Sequence, residues 1–366
     1  MIGELIIRNL LHRPLRTLIG VIAVGVEVAL VVLIVGLTSG LLTETAKRIE
    51  GIGADIMLQP PASSIFLGFS GSPMPIKIGE KLAELKYVQS VAPALLQFSS
   101  TGGVDVVYGI DSDSFRAVSG GFVILEGHDM KSPDDLLVDD WAAKAKHISV
   151  GDTYNLLNHD WHVAAIIEHG KGARLFVPLG TLQDLVGAHD KASIFFIKCT
   201  RSEHTEDVME DIRHELPGYT VRPLKDLLSI YTSTNIPGLQ SFINAMIALA
   251  ISIGLLVIFL TMYTTVMERT RDIGVLKSLG AGRSFIVRAL LTESAALCGL
   301  GILAGVGLSY VLRAGFLAGF PTLSILITPG WILRAAGIAL LGALFGASYP
   351  AWIASRKDPV EALSYD

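Results

Sequence analysis

Charged side chains are scarce in this sequence: Lys, Arg, Asp and Glu make up 17% of its 366 residues, against about 25% in a water-soluble domain. Apolar residues take their place, at 51%, and mean hydropathy is +0.54. A chain of this composition is not expected to fold wholly in water. Cysteine is almost missing. Cys199 falls in the central, water-soluble-like part of the chain and Cys298 in the third of its long apolar runs, so no disulfide between them is expected. Also missing is any G-x-x-x-x-G-K-[ST] loop; the one Gly-Lys pair, Gly170-Lys171, is followed by Gly172. With no nucleotide loop, nucleophile–base triad or metal motif, the chain is expected to be no enzyme and to hold no cofactor of its own.

The shortage of charge is concentrated in four runs. A bilayer core of about 30 Å needs ~20 mostly apolar helical residues. Thr17 to Leu42 carries one charge, Glu27, and Leu227 to Met267 carries none over 41 positions. Ala289 to Leu312 holds only Glu293, and Trp331 to Ala354 only Arg334. Four spans are expected, at 17–43, 241–267, 285–313 and 331–355. Ser229 to Gly238, rich in Ser, Thr and Asn, reads as a polar stalk entering the second span. The first run exceeds the 7–15 apolar residues of a signal peptide and is expected to stay as an anchor.

Orientation follows from the cations. Arg8, Arg13 and Arg16 precede the first span; Arg269, Arg271, Lys277, Arg283 and Arg288 follow the second; Arg356 and Lys357 follow the fourth. Four spans put all three groups on one side, expected to be cytoplasmic. Residues 44–240 carry 17 Lys+Arg and 26 Asp+Glu, a net of −9, and lie on the other side. Both termini are therefore expected inside a cytoplasmic (inner) membrane.

The outer segment reads as α+β. Strands are expected at Ala54–Leu58, Val91–Phe98, Val104–Ile110, Trp161–Ile167, Arg174–Val177 and Ser193–Cys199; helices at Ile78–Lys86, Leu179–Gly187 and Glu203–Leu216. A helix–turn–strand unit recurs at Lys81–Leu96 and Val208–Val221, which predicts a split subdomain with a smaller β-rich insertion near 100–192. Pro60 to Pro75, with Ile65, Phe66, Leu67 and Phe69 among Ser, Gly and Pro, reads as an apolar loop.

Three inner-face segments carry most of the functional information. Residues 1–16 alternate apolar and basic groups, as an interfacial helix does. In Glu268–Ala281, Ile273, Leu276 and Leu279/Gly280 form an apolar stripe on a short helix, and Glu268 is spaced to pair with Arg271 or Asp272. Gly280 is placed to end that helix. Such an element suits docking on a cytoplasmic partner, or lying on lipid. In the tail, Asp358, Pro359 and Glu361 after Arg356 have the spacing of a helix-start capping box.

The Glu268–Ala281 loop and the Tyr349–Leu363 tail resemble the two most recognisable motifs of the MacB/FtsX-like permease family, and the Arg-Asn-Leu…Pro-Leu-Arg-Thr start is similar to that family's. One span, a large outer domain and three spans match its plan along the whole chain. Departures are mild: Asp272 where Glu is frequent, Ser278 where Ala is. The resemblance implies a membrane α-helical bundle of four transmembrane helices, with an inserted α+β extracytoplasmic domain between the first and second. It implies an ABC transporter permease acting by mechanotransmission and exporting or extracting an amphiphilic substrate. It also implies an ABC ATP-binding subunit carrying the ATP and magnesium, a second permease copy or paralogue, membrane lipid, and in some cases a periplasmic adaptor; nothing points to nucleic acid. Glu268, Arg271, Asp272, Ile273, Gly274, Leu276, Lys277, Leu279 and Gly280 would form the coupling helix (268–284). Arg356, Asp358, Pro359 and Glu361 would add a tail contact (356–366). The alternative is a regulatory relative that controls a cell-wall hydrolase outside.

Glu27 is the remaining intramembrane candidate, since an acid at mid-span costs about 2.5–3.5 kcal/mol on insertion scales. It is expected at a dimer interface, against substrate, or capped by a neighbouring hydroxyl. Glu293 is expected to reach the membrane surface. Gly301/Gly305 and Gly342/Gly346 have helix-packing spacing. Asp134/Asp135 and Asp139/Asp140 read as solvated surface, and 314–330 as a short outer loop.

Overall fold

The computed structural model describes residues 14–61, 73–99, 105–226 and 238–357. Positions 1–13 of the expected interfacial helix, most of the Pro60–Pro75 loop and of the stalk, and the tail positions Asp358, Pro359 and Glu361 lie outside them, while Pro14 to Arg16 open the first long helix. The chain divides into two compact units, Met1–Gly40 with Pro237–Gly319 and Ile325–Asp366, and Leu41–Ile236 with Phe320–Ser324.

Helix α1 (Pro14–Glu50) continues past the expected end of the first span, and its last turns belong to the second unit. That unit holds strands β1 (Ile56–Gln59), β2 (Met74–Pro75), β3 (Val88–Ser99), β4 (Asp105–Ile110), β5 (Ile124–Gly127) and β6 (Asp135–Asp139). It continues with β7 (Thr153–Leu156), β8 (His159–Ile167), β9 (Leu175–Pro178), β10 (Lys191–Ala192), β11 (Ile194–Cys199) and β12 (Thr220–Pro223). Its helices are α2 (Lys77–Ala83), α3 (Ser112–Ser119), α4 (Asp140–Lys146), α5 (Leu179–Leu185) and α6 (Thr205–Glu215).

The main sheet runs β12-β1-β11-β3-β4-β9-β6-β8-β5, with β7 on β8. β11 is antiparallel to both β1 and β3, so β1-α2-β3 and β11-α6-β12 interlock as a split βαβ pair. Ile78 and Leu82 of α2 and Val208, Met209 and Ile212 of α6 cover one face, over Leu58, Phe195 and Ile197. The inserted part does not form a separate sheet. It extends this one through the twelve-residue β3 and the parallel β4–β9 pair. Its core is Trp161, Leu136, Val163 and Leu175, and Trp161 donates from Nε1 to the Leu156 carbonyl at 3.0 Å.

The aspartates of the insertion are not solvated surface throughout. Asp135 is buried, and its Oδ2 accepts from the backbone N–H groups of Lys131 and Ser132 at 2.7 and 2.8 Å. Asp139 is 1% exposed, caps α4 through Ala142 N–H, and faces Arg174 at 3.6 Å. Burial pushes the Asp139 carboxyl above its ordinary range, against the pull of Arg174. Arg174 also donates to the Thr322 carbonyl at 3.1 Å, which explains why Phe320–Ser324 groups with this unit rather than standing as a plain loop.

Both ends of the sheet are short. β5 has four residues, a register shift between Ile124 and Glu126, and Gly127 at φ +89°. β12 also has four, with Arg222 and Pro223.

The first unit is a helical bundle: most of α1, then α7 (Leu239–Glu268), α8 (Thr270–Ser278), α9 (Arg283–Gly319) and α10 (Pro329–Arg356). Four of these, all but α8, are long and apolar enough to cross a membrane. Without water to drive helices together inside a bilayer, close backbone approach does the work. Ala335, Ala339, Ala343, Ala347 and Ala351, four apart on α10, are all buried. Gly301 and Gly305 take α1 at contact distance: a Cβ on Gly305 would lie 2.5 Å from the Gly25 carbonyl oxygen and 2.9 Å from Val28 Cβ. Gly346 does the same against Leu255 of α7, whereas a Cβ on Gly342 would meet nothing. Three of the four packing glycines therefore act within one chain.

Candidate functional site

A single residue, Arg269, separates the short helix α8 from the end of α7, and Gly280, at φ +95°, closes it as its position predicts. Ala281 N–H reaches back to the Leu276 carbonyl at 3.0 Å and Gly280 N–H to that of Lys277. The expected stripe is split by the fold. Ile273 turns inward and joins Val266, Ile286, Leu290, Ala351 and Ala354 in one small core. Gly274 is buried beside it, Leu276 is half-buried, and Leu279 is 80% exposed. The outward face is Arg271, Val275 and Leu279, four residues apart, with Asp272 and Ser278 flanking it. Val275, 42% exposed, was not among the expected residues. Its signal was the i, i+4 spacing from Arg271 to Leu279, which crosses the stripe drawn through Ile273.

Two polar anchors tie α8 to its neighbours. Lys277, expected on the docking side, instead donates from Nζ to the Ser355 carbonyl at 3.0 Å and to that of Lys357. It thus satisfies carbonyls that the end of α10 leaves unpaired, and its charge suits the negative end of that helix. Lys357 returns the contact, with Nζ 3.3 Å from Thr270 Oγ1. On the other side Arg269 meets Glu293 of α9 at 3.6 Å, both side chains largely buried. Glu293 therefore turns into the protein rather than to the membrane surface. Glu268 and Asp272 stand exposed at the two ends of this turn, and Arg356 lies 4.1 Å over the Trp352 ring. A displacement of α8 would be carried to α9 by an ion pair and to α10 by a helix cap.

Glu27 is 8% exposed in the single chain, so it faces its own bundle rather than a dimer interface. Its carboxylate fills the notch left by Gly254 of α7, where an added methyl group would overlap it. Gly254→Ala is expected to cost about 1–3 kcal/mol by overpacking. Glu27→Ala in the same chain should return at least ~1 kcal/mol of that loss. Thermal unfolding of the four proteins of this cycle in one detergent measures the coupling; purely additive effects would mean the two residues do not share the notch.

The outer histidines find carboxylates singly: His159 with Asp134, His169 with Asp140, His189 with Asp184 and His204 with Asp207, at 2.8–3.2 Å. Among the described residues no group of three or more His, Cys, Asp and Glu is placed to hold a metal.

Residues 17–215 match the family model of the MacB-like periplasmic core domain, and residues 244–359 that of the FtsX-like permease C-terminal region. A macrolide export ATP-binding/permease protein MacB of Rhodospirillum rubrum is 27% identical, over 98% of this chain and 59% of its own length. The MacB of Psychrobacter cryohalolentis is 25% identical over 96% and 57%. An uncharacterized ABC transporter permease of Bacillus subtilis, YknZ, is 34% identical over 35% of this chain and 32% of its own. The chain thus spans well under two thirds of the MacB proteins it matches. Among solved structures, the periplasmic region of MacB from Actinobacillus actinomycetemcomitans aligns with 50% of this chain and 94% of its own, at TM-score 0.40 and 16% identity.

Proposed function

The chain belongs to the MacB/FtsX-like ABC permease family, with a MacB-like periplasmic core domain, and from that we propose that it is the membrane subunit of an ABC transporter, driven by an ATP-binding subunit that docks on α8. The observation that carries the proposal is α8 itself. It offers Arg271, Val275 and Leu279 outward while Lys277 and the Arg269–Glu293 pair fix it to α10 and α9. An element held this way passes a push from a cytoplasmic partner into two spans at once. Both termini and α8 then lie in the cytoplasm, and two copies of the chain serve two ATP-binding subunits. Mechanotransmission to the outer domain, rather than passage between the spans, is supported by a bundle whose core is mainly Ala, Val and other apolar residues with close-packed glycines, Glu27 being the buried acid at mid-span. An apolar or amphiphilic substrate handled on the outer side fits that mechanism.

The test is co-expression of the permease with the candidate ATP-binding subunit, reconstitution of the complex in nanodiscs, and ATP turnover with and without amphiphiles. Association, with turnover that depends on the permease and rises with one amphiphile, is the expected result. Association with turnover indifferent to every amphiphile would favour control of an outside hydrolase. No association at all would remove the docking role of α8.

A further inference from the structure

The seam between α7 and α9 that holds α1 continues past the point where α1 begins. Gly20 of α1 sits over both helices: an added Cβ would stand 3.9 Å from Leu297 of α9 and 3.9 Å from Thr261 of α7. Further along, Gly25 meets Gly301 and Gly305, so α1 and α9 run in the same direction. Going back from Gly20 to Pro14, about 9 Å of helix, therefore leads toward the start of α9 and the end of α7. One turn along each, at Glu293 and Thr265, the seam opens into a hollow of about 400 Å³. Leu276 of α8 and Phe285, Ala289 and Leu290 of α9 make its wall mainly apolar, and such a space is poor at holding water. Along α9, from Glu293 to Phe285, it is about 12 Å long. Arg269 and Glu293 answer each other at 3.6 Å in its lining, and the remaining charge there is Asp272, exposed on α8 near Val275.

We infer that this hollow is the seat of the chain's own residues 1–13, with Ile7, Leu10 and Leu11 directed into it. The point of entry selects this occupant: Pro14 opens α1 at the mouth of the hollow, so the residues before it reach the hollow with no linker. A proline disfavours helical geometry in the residue before it, so the chain is expected to leave the α1 axis at Arg13. Thirteen residues, about 20 Å as a helix, are enough to line its whole length. Ile7, Leu10 and Leu11 have the i, i+3, i+4 spacing of one helix face. Arg8 and Arg13 against Glu4 give the segment a positive balance, which the exposed carboxylate of Asp272 answers. Asp272 and Val275 then stand on the border between the seated segment and the outward face of α8. An apolar stripe suited to lipid is taken into the bundle instead, and α8 gains a third support beside Lys277 and Arg269. The bearing of that support on ATP turnover rests on the proposed docking role of α8; the seating itself does not.

Disulfide trapping in the full chain, reconstituted in nanodiscs without any ATP-binding subunit, reads the seating directly. Leu11→Cys with Ala289→Cys is expected to form a bond on mild oxidation, found as a linked peptide pair by mass spectrometry. Leu11→Cys with Trp352→Cys, on α10 at the same end of the bundle, is expected to stay open, because a bond needs Cα atoms within about 7 Å. Cys199 and Cys298 are buried and do not compete. Hydrogen exchange of residues 5–12 gives a second reading: Ala289→Trp, which fills the hollow, is expected to speed it roughly tenfold. The cysteine pairs decide the matter if Ala289→Trp fails to fold. A segment lying on lipid would link to position 289 no more than to 352 and would exchange indifferently to Ala289→Trp; either result would overturn the inference. Failure of the permease to associate with any ATP-binding subunit would leave both readings unchanged and would count against the docking role alone.

Discussion

Gly305→Ala is expected to cost about 3 kcal/mol, and Gly305→Leu to leave no monodisperse protein after extraction. The added Cβ of the alanine would stand 2.5 Å from the Gly25 carbonyl oxygen and 3.0 Å from Gly25 Cα. Both are backbone atoms, so no side-chain rotation relieves the overlap and α1 must move off α9. Val24 and Val28, buried against the same seam, would lose their contacts together. Gly307, two residues on, supplies the control, because a Cβ there would meet nothing within 4 Å. Thermal unfolding in a single detergent, with size-exclusion profiles, compares the variants. Equal midpoints for Gly305→Ala and Gly307→Ala would mean that the α1–α9 seam is looser than its geometry.

Leu279→Asp is expected to abolish capture of the ATP-binding subunit while the permease stays folded. An apolar side chain 80% exposed contributes almost nothing to the fold of this chain, so its removal is cheap there. Buried at the centre of a docking surface, its replacement by a carboxylate costs 2 kcal/mol or more, roughly a thirtyfold loss of affinity. Val275→Asp should act alike. Ile273→Asp should behave differently and compromise folding, because Ile273 lies in the small core with Leu290 and Ala354. Co-purification measured beside unfolding temperature separates the two classes. Unchanged capture by both Leu279→Asp and Val275→Asp would place the docking surface elsewhere.

The spans and the domain order were legible because each depends on one local quantity, the length of an uncharged run. The split βαβ pair was legible too, since α2 and α6 both show an amphipathic helix leading into a strand. The inserted part was legible only in part: β4, β8, β9 and α5 lie where strands and a helix were expected, whereas β5, β6, β7, α3 and α4 had no counterpart. α3 and α4 are eight and seven residues long, too short for periodicity to speak, and are fixed by the caps Asp111 and Asp139. For the same reason paired aspartates read as surface: a carboxylate that accepts backbone N–H groups is buried without any apolar signature. On α8, composition gave the helix and its end but not its facing. Ile273 and Leu279 are alike as residues, and only α9 and α10 decide which is covered. The turn of Lys277 toward Ser355 joins positions 78 apart in the chain, a relation that no spacing rule reaches.

The ends of the outer sheet bear on colloidal behaviour. An open strand edge invites like molecules to add on and grow into fibres, and a chain confined to a membrane meets its own copies at high local density. Here one edge is broken by a register shift and a left-handed Gly127, with Glu126 beside it; the other ends in Arg222 and Pro223, the latter with no N–H to offer. Neither presents a flat run long enough to template a neighbour, even though Val123, Ile124 and Leu125 are exposed at the first. Crowded copies of this domain are therefore kept apart by the backbone itself, which frees the exposed side chains to be chosen for recognition rather than for solubility.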